Sequence, residues 1–423
     1  MAMETSFPFY TEPEHLQGLV TPEAGNAART TLESAEEGRL IVEASDKIML
    51  LEPNKHPLVS LMTSVGKVYD GKAWKGNGIL KAATGNPEFS WFEDFYNGRY
   101  CTVAGALKDD DVIITVDGAG TNSAYLFTVG DVVKNSLTDE NMLVVEITSG
   151  SSITVERAFG STAAAAIDDD SGLFIVGNVN EENSGARNVN TTRAAKESNY
   201  TQIFKTSITV SGTEREANLY GGPDLPYLRA KHGTQHALDI ERAFWWGEMK
   251  TSYSVGTQGH PRRTTGGILE WIKASGAPIF DATGGLTVAE FNVFLREAFT
   301  YGSDSKYLFT GGILLNTLNE VARGQIQMRP LEKSYGMSIG TWTTPFGTIN
   351  IIHNPLFVQA YAGTAFVIDM DCLKYRYMNN RDTKLFTNVQ GNDVDGQIDQ
   401  YVSEVGLQRM QGQKCAYIYG ITD

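Results

Sequence analysis

Residues 199–249 read NYTQIFKTSITVSGTEREANLYGGPDLPYLRAKHGTQHALDIERAFWWGEM, and this stretch decides the fold. Its first part alternates with a period of two, because Phe204, Ile208 and Val210 share one face and Lys205 and Thr209 share the other, which predicts a half-buried strand at 204–210. A Gly-Gly-Pro turn follows, and the chain then reads as one long helix. A strand that feeds a long helix predicts a body in which a sheet packs against a spine helix.

The predicted helix runs from Asp224, a good N-cap, to Lys250 and would be about 40 Å long. It carries two apolar stripes, with Glu241 and Glu248 between them. A helix that packs on a single core rarely places two carboxylates there. We therefore expect these two glutamates to contact a neighbouring subunit; fraying or bending of the helix is the alternative.

The composition is that of a packed globular protein. The chain has 423 residues, of which 41% are apolar and 20% charged, and this length predicts two or three cores. The 43 glycines favour β structure with many turns. No apolar run approaches the roughly 18 residues of a membrane span, and the N-terminus lacks a signal peptide. The three distant cysteines predict buried free thiols in a reducing compartment.

The negative charge is concentrated in one segment. The chain carries a net charge of −15, and residues 103–178 hold twelve acidic and three basic side chains, a net −9 that leaves −6 for the remainder. The same segment has five short apolar runs separated by turn signals, at Val112–Val116, Tyr125–Val129, Met142–Ile147, Ile153–Val155 and Leu173–Val176. This pattern predicts a small acidic β-barrel or sandwich, with Ala163–Ala166 as a helical turn or a loop.

Two polar segments, 64–100 and 179–199, bracket this module and place it at the tip of a hairpin excursion. The first segment holds Lys67, Lys72, Lys75 and Lys81 against one acid, Asp70. Its aromatic residues Trp74, Trp91 and Phe92 have no local core to enter. Exposed aromatic side chains on an arm commonly dock on a partner; a local satellite cluster is the alternative.

The rest of the chain predicts mixed α/β structure. Residues 1–45 read as an extended arm with a short helix near Leu40–Ala44, or alternatively as a frayed terminus. Thr287 and Glu290 match a capping box that opens a helix. The remaining predicted elements are a strand at Lys306–Phe309, a helix at Ile313–Arg323, and strands at 337–343, 347–353, 365–371, Tyr401–Leu407 and Lys414–Ile421.

The sequence motifs that could indicate catalysis or metal binding are weak. Ser338 lies in a G-x-S-x-G match, but β residues follow it where a nucleophile elbow needs a helix. Asp393 to Gly396 resembles a calcium loop, yet Val402 occupies the position of the required Glu. His232 and His236 share a helix face without a third ligand. The sequence therefore predicts no catalytic residue, no cofactor and no metal site, and a hydrolase that uses Ser338 is a third-ranked alternative.

The order of these parts resembles the major capsid proteins of tailed bacteriophages, and more closely the major head protein family whose extended loop carries a β insertion. The resemblance covers the chain from about residue 40 to its end. The residues that carry it are Phe127–Asp131, Met142–Val144, Ile153–Arg157, Tyr200–Phe204, Val210–Thr213 and Asp239–Glu241.

The resemblance implies an α+β major-capsid fold, with an N-terminal arm, an extended loop, a peripheral domain with a spine helix, and an axial domain. In this chain it implies an arm and the start of the peripheral domain at 1–63, extended-loop limbs at 64–102 and 179–203, and the inserted acidic β domain at 103–178. The peripheral domain takes 204–285 with the spine helix at 224–250, the axial domain takes 286–400, and 401–423 return to the peripheral domain.

The implied function is structural and non-enzymatic: a virion subunit, made in the host cytoplasm, that assembles with copies of itself into hexamers and pentamers around double-stranded DNA. Portal, scaffolding and decoration proteins are implied partners, DNA contact is weak and non-specific, and no membrane is involved. The expected subunit contacts are Trp74, Trp91, Phe92, Arg187, Arg193, Glu241 and Glu248. The alternative is a tail or decoration protein that binds a receptor through the β module. Electron microscopy would distinguish the two, because a capsid subunit forms uniform shells and a tail or decoration protein forms discrete trimers or fibres.

Overall fold

The computed structural model describes residues 56–63, 69–70, 73–74, 80–117, 123–217, 223–250, 254–255, 259–322, 332–334 and 337–422. The predicted N-terminal arm and the helix near Leu40–Ala44 lie outside these residues. The described helices are Pro57–Thr63, Gly212–Glu216, Asp224–Trp246, Ile268–Ala274, Val288–Ala298 and Gly312–Ala322. Short 3₁₀ turns lie at Ser123–Leu126, Gln359–Tyr361, Met370–Cys372 and Gly412–Lys414.

A five-stranded sheet contains the strand that the opening stretch predicted. It orders Gln202–Ser211, Gly396–Arg409, Leu373–Met378 and Lys81–Thr84, and Lys384–Phe386 also pairs with Gly396–Arg409. The alternation is confirmed, since Phe204, Ile208 and Val210 are buried while Lys205 and Thr209 are exposed. Small hairpins elsewhere pair Tyr69–Asp70 with Ala73–Trp74 and Ser254–Val255 with Pro261–Arg262.

A seven-stranded sheet forms the second layer. Its order is Ile279–Asp281, Ala416–Tyr419, Ala365–Ile368, Ser305–Thr310, Gly347–His353, Met337–Thr344 and Glu332–Ser334. The helices Val288–Ala298 and Gly312–Ala322 contribute buried side chains to its core. The predicted capping box is confirmed: the Thr287 hydroxyl accepts the Glu290 N–H at 3.3 Å, and the Glu290 carboxylate accepts the Thr287 N–H at 2.9 Å.

The spine helix, Asp224–Trp246, joins the two sheets in one core. Phe244 packs edge-on against Tyr375 of the five-stranded sheet at 5.8 Å between ring centroids. Its neighbour Trp245 contacts Phe309 and Phe366 of the seven-stranded sheet at 5.1 and 5.0 Å. The two apolar stripes thus face two sheets, which accounts for a helix that is apolar on more than one side.

The helix was predicted to extend to Lys250, and this was wrong. It ends at Trp246, because the chain at Gly247 turns into an extended conformation against the carbonyl oxygens of Ala243 and Thr265. A side chain has no room there, so the helix ends where glycine allows the close approach. Pro223, and not Asp224, takes the N-cap position.

The predicted domain limits also differ from the strand pairing. Leu373–Met378 was assigned to the axial domain but pairs with the strand Gly396–Arg409 of the five-stranded sheet. Lys81–Thr84, assigned to a limb, pairs in parallel with Leu373–Met378. Ala416–Tyr419, assigned to the returning peripheral segment, lies in the seven-stranded sheet. Alternation predicts that a segment is a strand, but the partner of a strand is set by tertiary packing.

The acidic module is a closed six-stranded barrel. Its order is Gly172–Asn178, Tyr100–Val103, Ile113–Asp117, Ser152–Glu156, Asn141–Ile147 and Asp131–Asn135, which closes on the first strand. Five strands were predicted, and the one at Tyr125–Val129 was wrong because Ser123–Leu126 is a 3₁₀ turn. Ala163–Ala166 is a loop. The predicted α+β class with an inserted small barrel is confirmed.

Candidate subunit-contact surface

A two-stranded ribbon connects the barrel to the body. Glu88–Glu93 and Ala195–Tyr200 pair antiparallel, with Phe92 opposite Lys196 and Trp91 opposite Glu197. Since side chains alternate along a strand, Phe89 and Trp91 share one face, and Ser90 and Phe92 share the other. The first face is buried on the body and the second is exposed.

The root of the ribbon is fixed to the body by buried polar groups. The Asn199 amide donates to the carbonyl oxygens of Leu407 at 2.7 Å and Gly266 at 3.1 Å, and accepts the Gly266 N–H at 2.9 Å. Thr201 donates its backbone N–H to the Pro87 carbonyl oxygen at 2.8 Å. Buried side-chain amides with satisfied hydrogen bonds hold a defined geometry, so the ribbon leaves the body in a fixed direction.

The far end of the ribbon is joined to the barrel. The Thr192 hydroxyl bridges the Asp94 carboxylate at 2.7 Å and the Phe95 carbonyl oxygen at 2.6 Å, which brings the two limbs together. Arg187 then forms an ion pair with the barrel residue Asp131 at 2.6 Å.

The barrel has a buried ion pair near its loops. The guanidinium of Arg157 binds both carboxylate oxygens of Glu140 at 2.9 Å. Its other N–H groups donate to the carbonyl oxygens of Lys108, Asp111 and Ala165. Burial opposes the charge on Glu140, but the hydrogen bonds from Arg157 and from the Ala158 N–H leave its pKa below the usual value. A guanidinium with all its N–H groups occupied ties several loops together.

The predicted aromatic contacts lie at different depths. Phe92 is 71% exposed on the outer face of the ribbon. Trp91 is only 8% exposed, because it faces the body and its indole N–H donates to Glu93 at 2.7 Å. Trp74 lies in the strand Ala73–Trp74, and its side chain is outside the described residues. Among the predicted aromatic contacts whose side chains are described, Phe92 is therefore the exposed one.

Three charged residues of the predicted set reach the surface. Arg193 and Glu248 are exposed, and Arg187 is partly exposed while paired with Asp131. Their role in contacts between subunits stays a prediction.

Glu241 was predicted to contact a neighbouring subunit, and its burial inside its own subunit contradicts this. The residue is fully buried, and its carboxylate accepts the N–H groups of Leu58 at 3.3 Å and Val59 at 3.2 Å. The Asn354 amide donates to it at 3.0 Å and the Trp245 indole at 3.4 Å. Burial raises its pKa to about 7, and these hydrogen bonds limit the rise. The helix Pro57–Thr63 covers the face between the two stripes, which periodicity within the spine helix could not reveal.

Two exposed aromatic residues of the limb were missed. Phe95 is 48% exposed and Tyr96 is fully exposed, directly after the ribbon strand. Their position in the polar limb 64–100 was the available signal, since they follow Phe92 in the same segment.

The residues of the candidate catalytic and metal-binding motifs lie in ordinary structural environments. Ser338 pairs with Lys333 in a β-hairpin and so lacks the strand–turn–helix of a nucleophile elbow. His236 is buried between the hydroxyls of Thr206 at 2.9 Å and Ser403 at 2.6 Å. The three cysteines are buried and free, as predicted. Among the described residues no cluster of three or more metal-ligating side chains occurs.

The described part of the chain also contains no helix that is long and apolar enough to cross a membrane.

A sheet-and-spine-helix body that carries a barrel on a two-stranded ribbon is the arrangement that the sequence led us to expect of a phage major capsid protein. Residues 24–422 match the family of the SU10 major capsid protein, and the chain belongs to this family. The tailed-phage capsid fold and a structural role in the virion follow from this membership, and the alternative of a tail or decoration protein is wrong.

Individual relatives are distant. The major capsid protein of Pseudomonas phage PaMx41 is 26% identical over 340 residues, which cover 74% of this chain and 79% of the relative. The capsid of a native GTA particle is 8% identical with a TM-score of 0.49, and the match covers 94% of this chain and all of that one. A solved structure from Microbacterium phage Oxtober96 is 10% identical with a TM-score of 0.43, and the match covers 93% of this chain and 99% of that one.

Proposed function

We propose that this capsid subunit assembles into hexamers and pentamers of an icosahedral shell that encloses double-stranded DNA, and that the ribbon is the part that reaches a neighbouring subunit. The observation that carries the proposal is the ribbon itself, which is anchored at its root by Asn199 and has an exposed outer face. In this proposal the protein is made in the host cytoplasm, and portal, scaffolding and decoration proteins join it in the virion.

The outer face of the ribbon suits a protein partner. Phe92 is 71% exposed beside Lys196 on the paired strand, and Tyr96, beyond the end of the strand, is fully exposed. Aromatic residues are enriched at the centres of protein interfaces. A second copy supplies this partner in a shell built from one chain, because each arm then finds an identical neighbour.

Charge supports an outward barrel. The segment 103–178 carries a net −9 and the rest of the chain −6. Packaged DNA would repel the acidic barrel, whereas a body with a lower charge density can enclose DNA with weak, non-specific contact. The proposed arrangement therefore places the barrel on the outer surface and the body in the shell wall.

We propose the domain division in a form that follows the pairing. The five-stranded sheet with the spine helix is the peripheral domain, the seven-stranded sheet with its two helices is the axial domain, and the ribbon with the barrel is the extended loop.

Replacing Phe92 with Ser is expected to weaken assembly and leave the protomer folded. An exposed side chain contributes little to folding, whereas an aromatic residue at an interface centre contributes about 2 kcal/mol. The concentration needed for assembly should then rise roughly thirtyfold, which sedimentation can measure. The matched control is Phe159→Ser in the barrel, where the residue is 39% exposed. Equal assembly of the two variants would contradict the proposed role of Phe92.

Removing the barrel is expected to leave the body folded. The limbs meet at Phe95 and Thr192, whose carbonyl and hydroxyl oxygens are 2.6 Å apart, so a short Gly-Ser linker can replace residues 96–191. The barrel core contains only barrel residues and their adjoining turns, and its removal exposes none of the core around Trp245. Circular dichroism and hydrogen exchange of Asp224–Trp246 measure the result. An unprotected spine helix would show that the barrel is part of the body.

A further inference from the structure

A cleft of about 340 Å³ lies between the inner face of the ribbon and the helix Ile268–Ala274. Its walls combine apolar side chains, three of them aromatic, with three carboxylates and one guanidinium. The apolar lining includes Trp91, Phe95, Met249 and Trp271, and the three carboxylates belong to Glu93, Glu197 and Glu270. The cleft therefore combines aromatic rings with negative charge in one recess beside the proposed contact surface.

Two of these carboxylates, Glu93 and Glu197, have unused acceptor capacity. Glu93 accepts the Trp91 indole N–H, and Glu197, opposite Trp91 on the paired strand, is exposed and has no hydrogen bond or ion pair among the described residues. The cation in the lining, Arg409, is paired with Glu270 at 3.0 Å and also attracts Glu197 without a hydrogen bond to it, so three carboxylates face one guanidinium. The lining thus keeps a net negative charge.

This chemistry favours a cation on an aliphatic stem. A lysine side chain buries its methylene groups against apolar walls and keeps its ammonium group near carboxylates, and aromatic rings add a cation–π attraction. We propose that the cleft binds a lysine side chain of a second copy of this chain, an inference that rests on the proposed self-assembly. Lys196 of the same ribbon lies on the opposite face and does not point into the cleft.

The sequence supplies lysines for this contact. Residues 64–81 hold four lysines and one acid in a chain with a net charge of −15. Lys81 is paired with Asp382 in its own copy, which leaves Lys67, Lys72 and Lys75 as the source within this basic segment. An acidic cleft and a basic segment on identical subunits give each copy both halves of a repeating contact.

Zero-length carbodiimide coupling tests the proposal directly, because it joins a carboxylate to an amine only when the two are in contact. Particles are assembled from an equal mixture of normal and ¹⁵N-labelled protein, coupled, digested and analysed by mass spectrometry. We expect peptides that join Glu93 or Glu197 to a lysine, with the two isotopes mixed, which identifies a link between copies.

The double variant Glu93→Gln with Glu197→Gln should form particles that lose this link. The matched control Glu88→Gln removes a carboxylate from the opposite face of the same strand and should keep it. Intact particles in which Glu93 and Glu197 link to no lysine, or only to lysines of their own copy, would overturn the cleft proposal and leave self-assembly standing. Absence of particles for the unmodified chain would instead contradict the proposed function and, with it, the cleft contact.

Discussion

Replacing Glu241 with Ala is expected to lower the free energy of unfolding by about 3 to 5 kcal/mol. The carboxylate is fully buried and accepts the N–H groups of Leu58 and Val59 together with side-chain donors of Trp245 and Asn354. Its removal leaves these buried donors without an acceptor. Urea unfolding followed by tryptophan fluorescence measures the loss.

The matched control for this variant is Glu248→Ala, which lies just beyond the end of the spine helix and is exposed. It should change the stability by no more than about 0.5 kcal/mol. Hydrogen exchange adds a local test, since the Leu58 and Val59 amides should lose protection in Glu241→Ala alone. Equal stabilities for the two variants would show that Glu241 does not hold the helix Pro57–Thr63 to the spine helix.

Glu241 also predicts a dependence on pH. Its pKa in the folded protein is about 7, above the roughly 4.3 of an unfolded chain. The folded state therefore binds a proton that the unfolded state has released, so this contribution to stability is full below about pH 4 and is lost as the pH rises through 7. Relative to the unmodified chain, Glu241→Gln should gain stability between pH 5 and pH 8. A stability difference between the two proteins that stays constant over this range would contradict the raised pKa of Glu241.

Replacing Arg157 with Ala is expected to destabilise the barrel by about 3 to 5 kcal/mol. The Arg157 and Glu140 side chains are 7% and 0% exposed, and the substitution leaves Glu140 charged in a buried site. It also frees the carbonyl oxygens of Lys108, Asp111 and Ala165, which Arg157 now binds. Limited proteolysis of the full chain should then cut within residues 103–178.

The control for the barrel variant is Arg193→Ala, which removes an exposed guanidinium from the limb. It should leave the proteolysis pattern unchanged. Hydrogen exchange of the spine helix should be the same in both variants, because the barrel core is separate from the core around Trp245. Loss of protection in the spine helix of Arg157→Ala would show that the two cores are coupled.

Local pattern predicted the elements that depend on nearby residues. The alternation at 204–210, the capping box at Thr287 and most barrel strands appear where the sequence placed them. The strand Asp131–Asn135 was missed because its polar residues Asp131 and Asn135 are buried. Each is satisfied by local hydrogen bonds, Asp131 with the Thr128 N–H and Asn135 with Ser171, and hydropathy cannot detect such compensation.

Features that depend on distant residues were not predictable from pattern. The contact between Glu241 and the helix Pro57–Thr63 joins residues separated by 183 positions. The pairing of Lys81–Thr84 with Leu373–Met378 spans a still longer distance along the chain, since Lys81 lies opposite Tyr375. For the contact surface, the sequence identified Phe92 as exposed but could not separate it from Trp91, because only the register of the ribbon shows which face meets the body.

Cryo-electron microscopy of the assembled, purified protein tests the central claim most directly. We expect closed icosahedral shells of hexamers and pentamers, in which the ribbon of each subunit lies on a neighbouring subunit through Phe92 and the acidic barrel projects from the outer surface. Discrete trimers or fibres, or a shell in which the ribbon contacts only its own body, would contradict this account.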